Sequence, residues 1–411
     1  MADRRVEHLL VGGGIAGATA AATLREAGAD GSILVVGREL DPPYHRPPIS
    51  KGYLRGTATR EDTLIHPAGW WEDQGVELLT RTSVMEIDQE TRTAKLSNKE
   101  TVEFGTGLIA TGAMVRRLGV DGTELDGIHY LRALANADAL RRDVEDADRV
   151  VLIGGSYIGC EVAASLTELG KRCTIVMQES LTLERHFGPR TGGFFQGVLE
   201  EHGVEVVGPD EVDRFEGDGR VQHVVTKAGR RLPADAVVCG VGATPDVMLA
   251  RKSGLELGRL GGVLTTRHLE TSMPGLYAAG DMCEYESTIH GRVMRIEHED
   301  VAAAQARTAA RNMLGPDPTA HAVVPYFFSD LADWVSLEYV GPAATWDQEV
   351  VRGSMEDGDF TVFFLEDRRV RAALTVGRSP DLDHARRLIA AAAPLADPGQ
   401  LAEHDLTALP G

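Results

Sequence analysis

Two glycine-rich runs in this 411-residue chain have the composition to grip phosphate. Residues 12–28 read GGGIAGATAAATLREAG, and residues 154–170 read GGSYIGCEVAASLTELG. In a G-x-G-x-x-G turn between strand and helix, the first glycine makes the bend. The second lets backbone approach a pyrophosphate, and the third lets helix and strand close on each other. The helix that follows offers free N–H groups and the positive end of its dipole to the anion. Gly12, Gly14 and Gly17 fill the three places in the first run, with Ile15 and Ala16 between the last two. Gly154, Ser156 and Gly159 fill them in the second, with Tyr157 and Ile158 between. Ser156 departs from the pattern: its Cβ stands where backbone should approach phosphate, although its hydroxyl can donate to the anion. An ordinary tight turn also uses glycine, so one such loop says little; two in the same context say much more. Each is followed by a carboxylate able to accept hydrogen bonds from ribose hydroxyls. Glu39 comes 22 residues after Gly17, and Glu179 comes 20 after Gly159. Glu39 can also be read as a solvated loop charge, but its place after Val35-Val36-Gly37-Arg38 favours ribose, while Gln178 beside Glu179 leaves the end of that strand open by one residue.

The elements that must position these loops repeat along the chain. At an offset of 142, Gly12, Gly17, Ala21, Leu24 and Gly28 recur as Gly154, Gly159, Ala163, Leu166 and Gly170. Each copy follows an apolar strand (residues 8–11 and 149–153) and leads through an alanine-rich helix to a second strand (32–36 and 173–177), a βαβ unit written twice. Short apolar runs at 204–207, 221–225 and 236–241 continue in strand fashion, and an alanine-rich helix is expected over 300–314. Gly315-Pro316-Asp317-Pro318 reads as a linker. Beyond it, strands at 360–365 and 370–376 and a helix at 381–392 make a small third unit, with a weakly ordered tail. The fold class is therefore α/β: two Rossmann-like dinucleotide-binding domains plus a small α/β C-terminal domain.

Composition removes several function classes. The net charge of −20 argues against non-specific binding to nucleic acid, acidic partners or anionic membranes. The six lysines form no basic run. No apolar stretch approaches the ~20 residues of a membrane helix. No apolar signal segment precedes the first strand, so the expectation is cytoplasmic. Cys160, Cys173, Cys239 and Cys283 are far apart and form no C-x-x-C, which points to core packing rather than disulfide exchange or metal binding. No H-E-x-x-H or comparable metal motif is present.

The run Pro42-Pro43-Tyr44-His45-Arg46-Pro47-Pro48-Ile49-Ser50-Lys51-Gly52 resembles the flavin-side segment of FAD-dependent ferredoxin reductases of oxygenase systems, and of related apoptosis-inducing-factor-like flavoproteins. Ile109-Ala110-Thr111-Gly112, Leu131-Arg132, Ala279-Gly280-Asp281 and Phe327-Phe328-Ser329-Asp330 agree with that family, in its order and over nearly the whole chain. The resemblance implies a glutathione-reductase-like arrangement. Residues 1–112 and 245–318 would form an FAD domain, 113–244 an inserted NAD(P)H domain, and 319–411 a C-terminal domain closing the flavin's other side. Gly12, Gly14, Ile15, Ala16, Gly17 and Glu39 would hold the ADP part of FAD. Arg46, Lys51, Val84, Ala110, Gly112, Arg132, Gly280, Asp281 and Glu299 would contact the rest of it. Gly154, Ser156, Tyr157, Ile158, Gly159, Glu179 and Gly242 would take the nicotinamide dinucleotide; the charge of Glu179 favours NADH over NADPH, with Arg185 within reach of a 2′-phosphate.

The same resemblance implies that the Tyr157 ring covers the isoalloxazine until nicotinamide displaces it, where residues alone suggest a core aromatic. It also implies a Lys51–Glu161 ion pair beside the flavin. Two places depart from the ferredoxin-reductase pattern. Phe328 stands where tryptophan is frequent, and His298 matches the apoptosis-inducing-factor pattern, which leaves a structural and a flavin-contacting role both open. The implied activity is electron transfer from NADH through FAD to an iron–sulfur ferredoxin. An NADH oxidase or quinone reductase, and a redox-sensing interaction protein, remain as alternatives. The oligomeric state is open.

Overall fold

The computed structural model describes residues 2–403 and 405–409. Its first sheet runs, in spatial order, Val76–Leu79, Ile33–Val36, Arg4–Val11, Thr101–Ile109, Thr93–Leu96 and Val84–Asp88. Leu276–Ala278 joins it in parallel beside the last third of Thr101–Ile109. Paired in parallel on both sides, Ile33–Val36 is an apolar run with all four residues buried. The helix Ile15–Glu26 buries Ala16, Ala18, Ala20 and Ala21. It packs on the helix Glu299–Asn312, whose buried face is Ala302, Ala303, Ala306, Ala309 and Ala310. Small residues on both faces let the helix backbones approach closely, which draws the later segment onto the same core as residues 6–110.

The second sheet is parallel throughout, in the order Glu205–Val207, Arg172–Val176, Arg149–Ile153, Ala236–Cys239, Ile128–His129. A three-stranded antiparallel sheet (Val212–Asp218, Arg220–Thr226, Arg231–Pro233) accompanies it. The chain passes between the first two sheets twice. The outgoing and returning segments pair with each other as the antiparallel strands Ala113–Val115 and Ala243–Pro245.

After Asn312 the chain builds five antiparallel strands, ordered Tyr326–Leu331, Val335–Val340, Arg369–Val376, Asp359–Glu366, Gln348–Ser354. The helix Pro380–Ala391 packs against them. One expectation is corrected here: the described residues of the tail are not loose. Leu395, Leu401, Leu406 and Leu409 are buried against Leu382, Leu388 and Ile389. Arg387 donates to the Leu406 and Leu409 carbonyls at 2.7 Å each. Prolines and glycines break the helical pattern there, but leucines at irregular spacing still supply the apolar area that fastens the segment.

Candidate active site

The two glycine loops open into one cleft of about 1840 Å³, which the third unit closes from one side. At its first wall Gly12 has φ +132°, and a Cβ there would meet the Ala110 carbonyl oxygen at 2.1 Å. Gly154 repeats this geometry in the second loop, with φ +106° and the Gly240 oxygen at 2.4 Å. Gly17 and Gly159 are expected ligand contacts that do not line the cleft. They stand behind the loop, where an added Cβ would lie 2.0 Å from the Gly12 oxygen and 1.9 Å from the Gly154 oxygen. Their role is close packing of helix against strand. The middle position differs in kind. Gly14 has φ −105° and nothing within 4 Å of an added Cβ, and Ser156 adopts the same extended backbone at φ −94°. Nothing in the protein demands glycine there, so serine fits the second loop without strain.

Every other expected site residue lines this cleft. On the first side, Arg46 donates to Glu39 at 2.6 Å, and the Tyr44 hydroxyl also donates to Glu39. Burial opposes ionisation of Glu39, but Arg46 and Tyr44 hold its carboxyl below the usual range. Arg132 donates to Asp281 at 3.0 Å, and Arg295 donates to the Asp281 carbonyl at 2.9 Å. Glu299 accepts from the Arg46 backbone N–H at 3.0 Å and pairs with His45 at 2.6 Å. That hydrogen bond raises the His45 pKa. Gly112, at φ +71°, holds the turn beside the Arg132 guanidinium. Val84 begins its strand at the rim, and the Gly280 N–H is fixed by Gln305 at 2.8 Å.

On the second side, Glu179 pairs with Arg185 at 2.8 Å. Ile158 is partly exposed at the helix start, and Gly242 has φ +94° with open space around it. Between the two sides, Lys51 Nζ lies 2.8 Å from Glu161 Oε1, both side chains being nearly buried. Glu161 also accepts from Ser50 Oγ at 2.5 Å and Ser329 Oγ at 2.6 Å. Ser50 and Ser329 lie inside runs that the sequence flags, but nothing in their spacing tells that they meet on one carboxylate.

Tyr157 sits at the start of its helix with its ring 4.6 Å from that of His186 and edge-on to Phe327 at 5.1 Å. Burial first, then Tyr339 and Glu161, push its hydroxyl pKa well up, so it stays neutral. The His298 ring lies 4.3 Å from Phe327, and burial brings its pKa down to about 4. Its Nδ1 is buried and has no hydrogen-bond partner among the described residues, a polar atom left for a ligand in the cleft. An arginine-lined wall, two phosphate-type loops and this unspent donor or acceptor together fit two dinucleotides meeting end to end.

Among the described residues no group of three or more His, Cys, Asp and Glu is placed to hold a metal ion, and no helix is long and apolar enough to cross a membrane.

Residues 6–306 match the pyridine nucleotide-disulphide oxidoreductase family, and 326–408 match the reductase C-terminal domain. The chain is 35% identical to a ferredoxin–NAD(P)(+) reductase of Sphingomonas sp. over 402 residues, covering 97% of this chain and 96% of the relative. It is 34% identical to the ferredoxin reductase component of a chlorobenzene dioxygenase from Cupriavidus sp. strain PS12 over 394 residues, covering 96% and 94%. The solved covalent complex of putidaredoxin reductase with putidaredoxin superimposes with a TM-score of 0.92 at 32% identity, over 99% of this chain and 98% of the other.

Proposed function

The chain belongs to the pyridine nucleotide-disulphide oxidoreductase family, in its FAD-dependent ferredoxin-reductase branch, and on that premise we propose that it moves electrons from NADH to a small iron–sulfur ferredoxin of an oxygenase system in the cytoplasm. FAD, when bound, supplies the chemistry, accepting a hydride as an electron pair and releasing electrons singly. Residues 1–112 and 245–318 would hold it, residues 113–244 would bring NADH, and the unit from 319 onward would close the cleft. One observation carries the choice of acceptor within a family named for disulfides. All four cysteines are free and buried, with burial raising every thiol pKa, to about 11 for Cys173 and about 12 for Cys239 and Cys283. No thiol relay runs from the cleft, so electrons leave for a partner directly.

The side chains have separable tasks. Arg46, Arg132 and the first loop neutralise the FAD pyrophosphate, while Asp281 and Glu299 fix those arginines and the backbone around them. Lys51 and Glu161 set the charge where nicotinamide must arrive. Tyr157 and Phe327 exclude water from the centre of the cleft.

An anaerobic stopped-flow experiment tests this reading. NADH should bleach the flavin band faster than NADPH, by up to about a hundredfold, because Glu179 opposes a 2′-phosphate by roughly 1–3 kcal/mol, less what Arg185 returns. A 2Fe–2S ferredoxin should then reoxidise the enzyme far faster than dioxygen or a quinone. Faster reoxidation by dioxygen or quinone would make it an oxidase or quinone reductase, and a persistent reduced complex with NAD+ would make it a sensor.

Tyr157→Ala carries a further expectation. If the ring covers the isoalloxazine, nicotinamide must displace an aromatic stack of about 0.5–1.5 kcal/mol. The variant should bind NAD+ up to about tenfold more tightly and yield more peroxide from dioxygen. If Tyr157 only packs, its loss lowers stability by about 3–5 kcal/mol and leaves NAD+ affinity and peroxide yield unchanged.

A further inference from the structure

The second glycine loop carries a serine at its middle position, and that serine is not free. Ser156 Oγ lies 3.0 Å from His186 Nε2. His186 comes from the turn that opens the following helix, Glu184–Glu201, and both residues line the cleft. The His186 ring is held against Tyr157 at 4.6 Å and near Phe187 at 6.1 Å. Serine needs no such partner to sit there, since its backbone is extended and the same position in the first loop is open space.

A hydroxyl has one hydrogen to give and two lone pairs. If Nε2 is bare, Ser156 spends its hydrogen on the ring and turns lone pairs toward the loop, which repels a phosphate oxygen. If Nε2 carries a hydrogen, it donates to Oγ, and the serine hydrogen is free to point into the cleft. Burial, with Arg185 alongside, lowers the His186 pKa, so the ring is neutral and one of its nitrogens carries the hydrogen. We propose that His186, as the Nε2–H tautomer, orients the Ser156 hydroxyl to donate to a phosphate of the nicotinamide dinucleotide. The pair thereby replaces the backbone approach that glycine gives the first loop. Ser156 is then a binding residue and His186 a positioning residue acting through it.

This rests on the reading of the second loop as the NADH site, and the test separates the two. NAD+ is titrated calorimetrically into the FAD-loaded holoenzyme and into Ser156→Ala, His186→Phe, His186→Gln and the double variant Ser156→Ala/His186→Phe. Loss of one hydrogen bond to a charged phosphate should weaken NAD+ roughly tenfold in Ser156→Ala. His186→Phe keeps the ring stack but removes the donor and should cost several-fold. His186→Gln supplies an amide N–H and should recover most of the affinity. The double variant should be no weaker than Ser156→Ala alone, because His186 acts only through the serine. On binding NAD+, the 15N signals of His186 should show Nε2 protonated. Equal NAD+ affinity in wild type and Ser156→Ala overturns the inference while leaving the site standing. So does a His186→Phe loss that persists in the Ser156→Ala background. Failure of NAD+ to bind the wild-type holoenzyme overturns both the inference and the site.

Discussion

Gly14→Ala is expected to fold with nearly wild-type stability yet emerge from purification without FAD, whereas Gly17→Ala should lose stability of the fold itself. The two glycines are three residues apart in one motif, but the structure gives them different tasks. At Gly17 an added methyl would lie 2.0 Å from the Gly12 carbonyl oxygen, a backbone atom that cannot swing aside. Relieving that overlap means parting helix from strand, and overpacking of this kind costs about 1–3 kcal/mol or more. At Gly14 the backbone is extended and no atom lies within 4 Å of the new methyl. The helix loses only an adequate N-cap, about 0.5–1 kcal/mol. The methyl instead occupies the place from which backbone N–H groups would meet the pyrophosphate. Flavin absorbance relative to protein absorbance, with thermal melts of both apoproteins, reads the contrast. A Gly14→Ala protein that retains full FAD would mean the first loop does not grip the cofactor there.

The loops were legible in the sequence because their constraints are local. A positive φ at Gly12 and a 1.9–2.0 Å clash at Gly17 and Gly159 are demanded within a few residues of chain, so they leave a fixed spacing. The return of residues 276–278 to the first sheet was legible only through family resemblance, since a three-residue strand has no periodicity to detect. The contacts on Glu161 were less visible still. Ser50, Lys51 and Ser329 reach it across separations of about 110 to 170 residues, and a hydroxyl's partner leaves no local trace. The same holds for Ser156 and His186, 30 residues apart, and for the C-terminal leucines, whose burial depends on a core assembled by another element. Ser156 looked like a weakness in the motif. In the structure it has extended backbone at the motif position where, in the first loop, nothing lies within 4 Å of an added Cβ.

Lys51→Met is expected to slow reduction of the bound FAD by NADH on the order of a hundredfold while retaining FAD. Glu161 is 5% exposed and Lys51 12% exposed, and they meet at 2.8 Å. Removing one member of such a buried pair leaves an uncompensated charge, at a typical cost of about 3–5 kcal/mol. Ser50 and Ser329 still donate to Glu161 and should keep the stability loss near the lower end. If about 2.7 kcal/mol of the lost interaction is one made with the arriving nicotinamide, the rate falls about a hundredfold. Glu39→Ala forms the contrast. That carboxylate holds Arg46 and Tyr44 at the far end of the first wall, so its loss should show as weaker FAD retention and a near-normal reduction rate in the FAD-loaded fraction. The double variant Lys51→Met/Glu161→Gln separates charge from packing. With no charge left unpaired it should regain most of the stability, since a neutral pair of similar volume is often no worse than the ionic one. Its reduction rate should stay low, because the ammonium proposed to position nicotinamide is still missing. Recovery of the rate along with the stability would reduce Lys51 to a counter-ion for Glu161, and a wild-type rate in Lys51→Met would remove the pair from the reaction altogether.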